Sequence, residues 1–150
     1  MVSIKLINKD TDEKIKVSIE HACEKPSPWD NGYGTEKHNK VSVVNLKTRK
    51  RMSFDFWGSV VEPNQESANG AIGAIACYAS DALSYDNARS FEDFCSEFGY
   101  DTDSRNAEKI YKACGKAHEK MSRVVGDNYT FLIDYENDGF KELKAKGLAE

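Results

Sequence analysis

Several absences narrow what this sequence can be. Its longest apolar run, around Ala71 to Ala79, falls far short of the roughly 20 residues that cross a bilayer, so no membrane span is expected. The opening MVSIKLINKD places charges early and holds no apolar core of signal-peptide length, which predicts retention in the cytoplasm. Cys23, Cys77, Cys95 and Cys114 lie far apart without a C-x-x-C pair, a pattern that argues against a zinc ribbon and a disulfide framework and for reduced thiols. There is no G-x-S-x-G, no G-x-G-x-x-G and no P-loop. Gly70-Ala71-Ile72-Gly73 opens an alanine-rich helix without the Lys-Ser/Thr that a phosphate loop needs. No catalytic residue is therefore expected, and no internal repeat or low-complexity tract is found.

What is present suits one folded domain. A chain of 150 residues, 39% hydrophobic and 31% charged, can bury a real core without staples. The net charge of −4 is unevenly shared. Residues 1–64 hold 11 Lys and Arg against 9 Asp and Glu, whereas residues 65–150 hold 10 against 16. Between Asp81 and Asp103 stand seven acids and one base, Arg89, interspersed with aromatics, which reads as a folded acidic surface.

The hydropathy period divides the chain into a β-rich half over 1–62 and a helical half over 67–150. Val2, Ile4 and Leu6 alternate with polar residues, as do Ile15, Val17 and Ile19, giving a β-hairpin about Lys9-Asp10-Thr11-Asp12. Cys23 to Asn39, with Pro26, Pro28, Gly32 and Gly34, reads as a long loop, mobile or pinned by Trp29 and Tyr33, with His38 exposed in it. Val41, Val43 and Val44, then Met52, Phe54 and Phe56 after Lys47-Thr48-Arg49-Lys50, make a second hairpin. Pro63 ends the strands. Ile72, Ile75, Ala76, Ala79 and Leu83 then form the stripe of a first helix. Ser90 with Asp93 resembles a capping box for a helix that puts Phe91, Phe94, Cys95 and Phe98 on one face and stops at Gly99. Asp103 or Ser104 caps a longer helix from Arg105 to about Val125, ended by Gly126. Residues 127–137 lean to helix, with Asp127 as N-cap, and the Lys-rich end is a frayed tail or short terminal helix. The expected fold is α+β: an antiparallel sheet of about four strands followed by three to four helices packed on one face.

Two blocks, FDFWGS at Phe54 to Ser59 and SFEDFCSEFGYDTDSRNAEKIYKAC at Ser90 to Cys114, resemble a family of small, mostly uncharacterised bacteriophage, prophage and mobile-element proteins. Members share F-x-F-[YW]-G-S and FEEFC-x-EFGYDTDSR followed by A-E-x-x-Y-x-A-C. The match covers about half of the chain, leaving residues 1–40 and 126–150 unanchored. The family brings no agreed activity and no catalytic residues. Its context implies a protein that counters host defence, an anti-CRISPR inhibitor being one such class, acting in the cytoplasm of the bacterial host on a defence complex such as a CRISPR effector.

The charge map supplies candidate partner-binding residues. Arg105, Lys109, Lys112, Lys116, Lys120 and Arg123 fall within an arc of roughly 80°, opposite Ile110, Cys114, His118, Met121 and Val125. This ridge would run roughly 27 Å, enough to follow several phosphates or an acidic groove. Lys47 to Arg51 is a second basic cluster, which joins a nucleic-acid surface if the fold sets it beside the ridge. Asp86, Glu92, Asp93, Glu97, Asp101 and Asp103 could imitate a row of phosphates and occupy a basic channel, with Trp57 and Tyr100 as aromatic anchors. Each surface also reads as a solvated face, and the two aromatics as core.

YDTDS is neither a D-x-D phosphatase motif, since no apolar strand precedes it, nor a calcium loop, since Asn106 stands where glycine is required. No metal site is expected. Zinc, the one cofactor to weigh, would draw on His21 with Cys23 and on Cys114 with His118, pairs that no sequence rule brings together.

Overall fold

The computed structural model describes residues 1–25, 36–57 and 67–150. Four strands, β1 (Val2–Ile7), β2 (Lys14–Lys25), β3 (Glu36–Asn45) and β4 (Arg51–Trp57), pair antiparallel in chain order. Because successive side chains point to opposite faces, the period-2 pattern sorts the sheet into transverse rows. Ile4, Val17, Val43 and Met52 form one inner row, and Val2, Ile19, Val41 and Phe54 the next. All but Val2 are buried, at 8% exposure or less. The third inner row, Leu6 and Ile15, ends on Asn45, a buried polar residue with every polar atom engaged. Its Nδ2 donates to Glu13 Oε2 at 2.8 Å and to the Val124 carbonyl at 3.0 Å, while its Oδ1 accepts from the N–H groups of Lys47 and Thr48. One side chain thus fixes the β3–β4 turn and ties it to the third helix.

Five helices follow among the described residues: α1 (Ala68–Asn87), α2 (Phe91–Phe98), α3 (Arg105–Val124), α4 (Phe131–Asp138) and α5 (Phe140–Ala145). The fold is α+β, with the helices on the inner face of the sheet. α1 touches β1, β2, α3 and α4, and its Ala71, Ala74, Ala76, Ala79 and Ala82 are fully buried. Small side chains are what such a central helix needs for close approach on several sides.

The caps follow the sequence closely. Ser90 accepts from the Asp93 N–H, and Asp93 Oδ2 reaches back to the Arg89 N–H, one residue beyond the usual capping-box partner. Gly99 takes φ 72°, the left-handed conformation that closes α2 at little cost to glycine. Ser104, not Asp103, caps α3 by accepting from the Ala107 N–H.

Four expectations need correction. The segment from Cys23 to Asn39 is not all loop: β2 runs to Lys25 and β3 starts at Glu36, with Cys23 opposite His38 across a bulge. Turn composition marked the middle of that segment and hid the pairing of its ends. His38 is accordingly in a strand and buried, at 4% exposure. Asp127 does not cap α4, which begins at Phe131 after a turn, with Thr130 at its N-cap position. Phe98 does not join the buried face of α2 but stands 45% exposed at its last position. Trp29, Tyr33, Gly58, Ser59 and Pro63 lie outside the described residues.

Both sheet edges meet protein groups. Along β1, Lys5 exchanges backbone hydrogen bonds of 3.0 and 2.9 Å with Glu150, and the Ile7 N–H donates to the Leu148 carbonyl at 2.8 Å. Along β4, Lys120 Nζ donates to the Ser53 carbonyl at 2.9 Å and Arg123 Nη1 to the Arg51 carbonyl at 3.2 Å. A strand edge left bare is a template for foreign strands, and covering it with cations is one of the ways proteins blunt it.

Candidate functional site

Of the acidic candidates, Asp86 lies at the end of α1 and the other five on α2 and the turn that follows it. Asp86, Glu92, Asp93, Glu97, Asp101 and Asp103 are all exposed. Beneath them lies an aromatic cluster. Tyr111 of α3 meets Phe91, Phe94 and Tyr85 at ring-centre distances of 5.3, 5.2 and 5.1 Å. This packing seats the short α2 on α3, which eight residues of helix could not hold unaided. Phe94 then passes the cluster outward, to Phe98 at 4.9 Å and Tyr100 at 6.1 Å. Both outer rings are open, Tyr100 to 40%. The structure therefore brings two exposed aromatics into the middle of the predicted acidic block. Sequence reading found Tyr100 and missed Phe98, whose place immediately before the terminating Gly99 was the available signal.

Two of the acids have local partners. Asp93 is held by the Arg89 N–H, and Asp86 Oδ1 lies 3.6 Å from His118 Nε2. Asp101 and Asp103 precede the N-terminus of α3, where negative charge complements the helix dipole.

The basic ridge is present on α3 and is divided in use. Arg105, Lys109, Lys112, Lys116 and Arg123 are exposed, and Lys120 is half-buried. Lys112 pairs with Glu108 one turn earlier at 3.1 Å. At the other end Lys120 and Arg123 lie along β4, so the Lys47–Arg51 turn does adjoin the ridge. The other candidate anchor, Trp57, ends β4 half-buried, with its ring 4.6 Å from that of His38. His38 Nε2 in turn lies 2.7 Å from Asp55 Oδ1.

A groove of about 700 Å³ opens between β4, α1 and α3, with Trp57, Asp55, Tyr78, Asp81, Lys116 and Lys120 on its walls. Phe54 forms its floor by stacking on Tyr78 at 3.9 Å, nearly parallel. Asp81 is exposed at the groove wall, and the partial desolvation of its carboxyl there raises it above the ordinary carboxylate range. Burial, assisted by Asp81, also pushes the Tyr78 hydroxyl and the Cys114 thiol up to about 12. Cys77, exposed on the same helix, is shifted upward by desolvation and then by Glu136 and Asp81. These thiols are held protonated, the unreactive form. No sequence rule joined the groove residues, since they come from β4, α1 and α3.

The residues weighed for zinc are differently employed. His118 Nδ1 is 3.0 Å from the Tyr129 hydroxyl, and its other nitrogen faces Asp86. Cys114 is buried on α3. His21 and Cys23 belong to β2, in the sheet. Among the described residues, no group of three or more His, Cys, Asp or Glu side chains is arranged to hold a metal ion. Nor is any described helix long and apolar enough to cross a membrane.

The chain matches no family model, no curated protein and no solved structure.

Proposed function

We propose that this protein is a non-catalytic inhibitor from a bacteriophage or mobile element that docks on a bacterial defence complex in the host cytoplasm, a CRISPR effector being the leading target. The observation that carries the reading is the pair Phe98 and Tyr100, 45% and 40% exposed among the carboxylates of Glu97, Asp101 and Asp103. Large aromatics are costly to leave in water, and a rim of charge around them is the composition of an interface centre. The sign of that rim suits a basic nucleic-acid channel on the partner, which would be steered onto it and blocked. The decisive experiment measures phage restriction by a CRISPR-bearing host with and without this protein, together with its binding to the purified effector. Restriction that stays intact, with no effector bound, sinks the reading.

A second reading, nucleic-acid binding, rests on a different observation. The contact from Arg123 to the Arg51 carbonyl sets the Lys47–Arg51 turn beside the ridge, the arrangement that would make one basic surface of the two. Binding to generic strands that falls steeply with salt supports it, and no binding at low salt removes it.

A further inference from the structure

The outer face of the sheet carries a third row pattern that the ridge and the turn alone do not account for. Lys5, Lys16, Val44 and Arg51 stand in register across all four strands. Lys16 and Arg51 are exposed, and Lys5 is partly so. With strands roughly 4.8 Å apart, the row places cations over about 14 Å at right angles to the strands. Its Arg51 end is also the end at which Arg123 and Lys120 of α3 approach β4. The turn cations Lys47, Arg49 and Lys50 are exposed at the same end of the sheet. The adjacent outer row is Ser3, Ser18, Ser42 and Ser53, low hydroxyl groups that raise no steric wall beside the cations. Of the acids near this face, Glu20 and Asp55 lie one row beyond the serines, while Glu150 pairs with Lys5 along the β1 edge and its carboxylate takes Lys14 at 2.9 Å.

We infer that a single-stranded nucleic acid crosses the outer sheet face along Lys5, Lys16 and Arg51 and continues around the β4 edge onto Arg123 and Lys120. This rests on the nucleic-acid reading and locates it on the sheet in place of the length of α3. The occupant is a strand of phosphates because the track is cationic and runs across strands whose backbone groups are already paired. It is single because the track turns from the sheet face onto a helix at its edge, a path that a flexible strand follows and a duplex, stiff over about 150 base pairs, does not.

The test is fluorescence anisotropy of a labelled 20-mer of deoxythymidine and of a duplex of equal length, titrated at several salt concentrations. The triple variant Lys5→Ala/Lys16→Ala/Arg51→Ala is compared with Lys109→Ala/Lys112→Ala, and circular dichroism checks that both fold. The triple variant is expected to reduce the slope of log affinity against log salt by about 2, since each phosphate on a single strand contributes about 0.7. The ridge variant should keep the wild-type slope. If the triple variant keeps it and the ridge variant loses it, the sheet track is wrong and the nucleic-acid reading survives. A wild-type protein that binds neither probe at low salt overturns both. Tighter binding to the duplex overturns the single-strand assignment.

Discussion

On α3 the cations nearest the sheet are bonded into the fold, whereas at the end of α2 the aromatics nearest the acids pack on Phe94 on one side and open to solvent on the other. Lys120 and Arg123 donate to the Ser53 and Arg51 carbonyls and so close part of an open strand edge. Phe98 and Tyr100, by contrast, extend a buried aromatic cluster out into solvent among exposed acids. Charge of one sign on a helix therefore means different things in the two places. A cation bonded to a carbonyl is explained by the fold it protects. An aromatic at the open rim of a packed cluster keeps apolar surface in water that a second molecule would cover.

The comparison breaks most visibly by truncating the aromatics. Phe98→Ala/Tyr100→Ala should weaken effector binding by at least roughly 30-fold, the loss of a hot spot of about 2 kcal/mol, while thermal stability moves by less than about 1 kcal/mol. Calorimetry of binding and of unfolding on the same preparations reads both. Equal losses in the two would return these rings to the category of core residues.

A smaller effect is expected where α3 meets α1 beside the seat of α2. Gly115 in the middle of α3 lies under Tyr85, so that a Cβ there would meet the ring at 3.0 Å. Tyr85 cannot simply withdraw, because it also packs on Tyr111 and lies 5.9 Å from the His118 ring. Gly115→Val should therefore destabilise by about 2 kcal/mol, lowering the melting temperature by roughly 4–8 °C for a domain of this size. Because the seat of α2 is what shifts, effector binding should fall with it while binding to a nucleic-acid strand stays unchanged. A variant that melts like the wild type would mean that the cluster tolerates the extra carbons and that α2 is less firmly held than its contacts imply.

Much of this was legible in the sequence, and what was not had a common cause. The hairpins, Ser90, Gly99 and Ser104 are local signals, in which alternation, a hydroxyl or a glycine fixes backbone geometry within a few residues. The acidic block and the ridge were legible as charge. Their employment was not, because the carbonyls that engage Lys120 and Arg123 lie 67 and 72 residues away. His38 was misread for the same reason: its neighbours Asp55 and Trp57 come from the next strand, and nothing near it in sequence predicts burial. Phe98 fits the apolar stripe of α2 on a helical wheel, but the helix stops there, and a stripe residue at a free end has less to pack against.

The smallest effects separate the two ends of the ridge. Lys120→Ala/Arg123→Ala removes two hydrogen bonds to carbonyls and should cost about 1–2 kcal/mol, whereas Lys109→Ala/Lys112→Ala gives up one exposed pair and should stay within about 0.5 kcal/mol. Denaturant melts resolve the difference. The first variant also uncovers the Arg51 and Ser53 carbonyls, so concentration-dependent self-association by strand pairing should appear in it and not in the second. Sedimentation at several concentrations reads that outcome. If both variants stay monomeric and equally stable, the edge contacts are incidental, and the asymmetry drawn between α3 and α2 loses its structural half. If only the first associates, Lys120 and Arg123 protect the β4 edge from foreign strands.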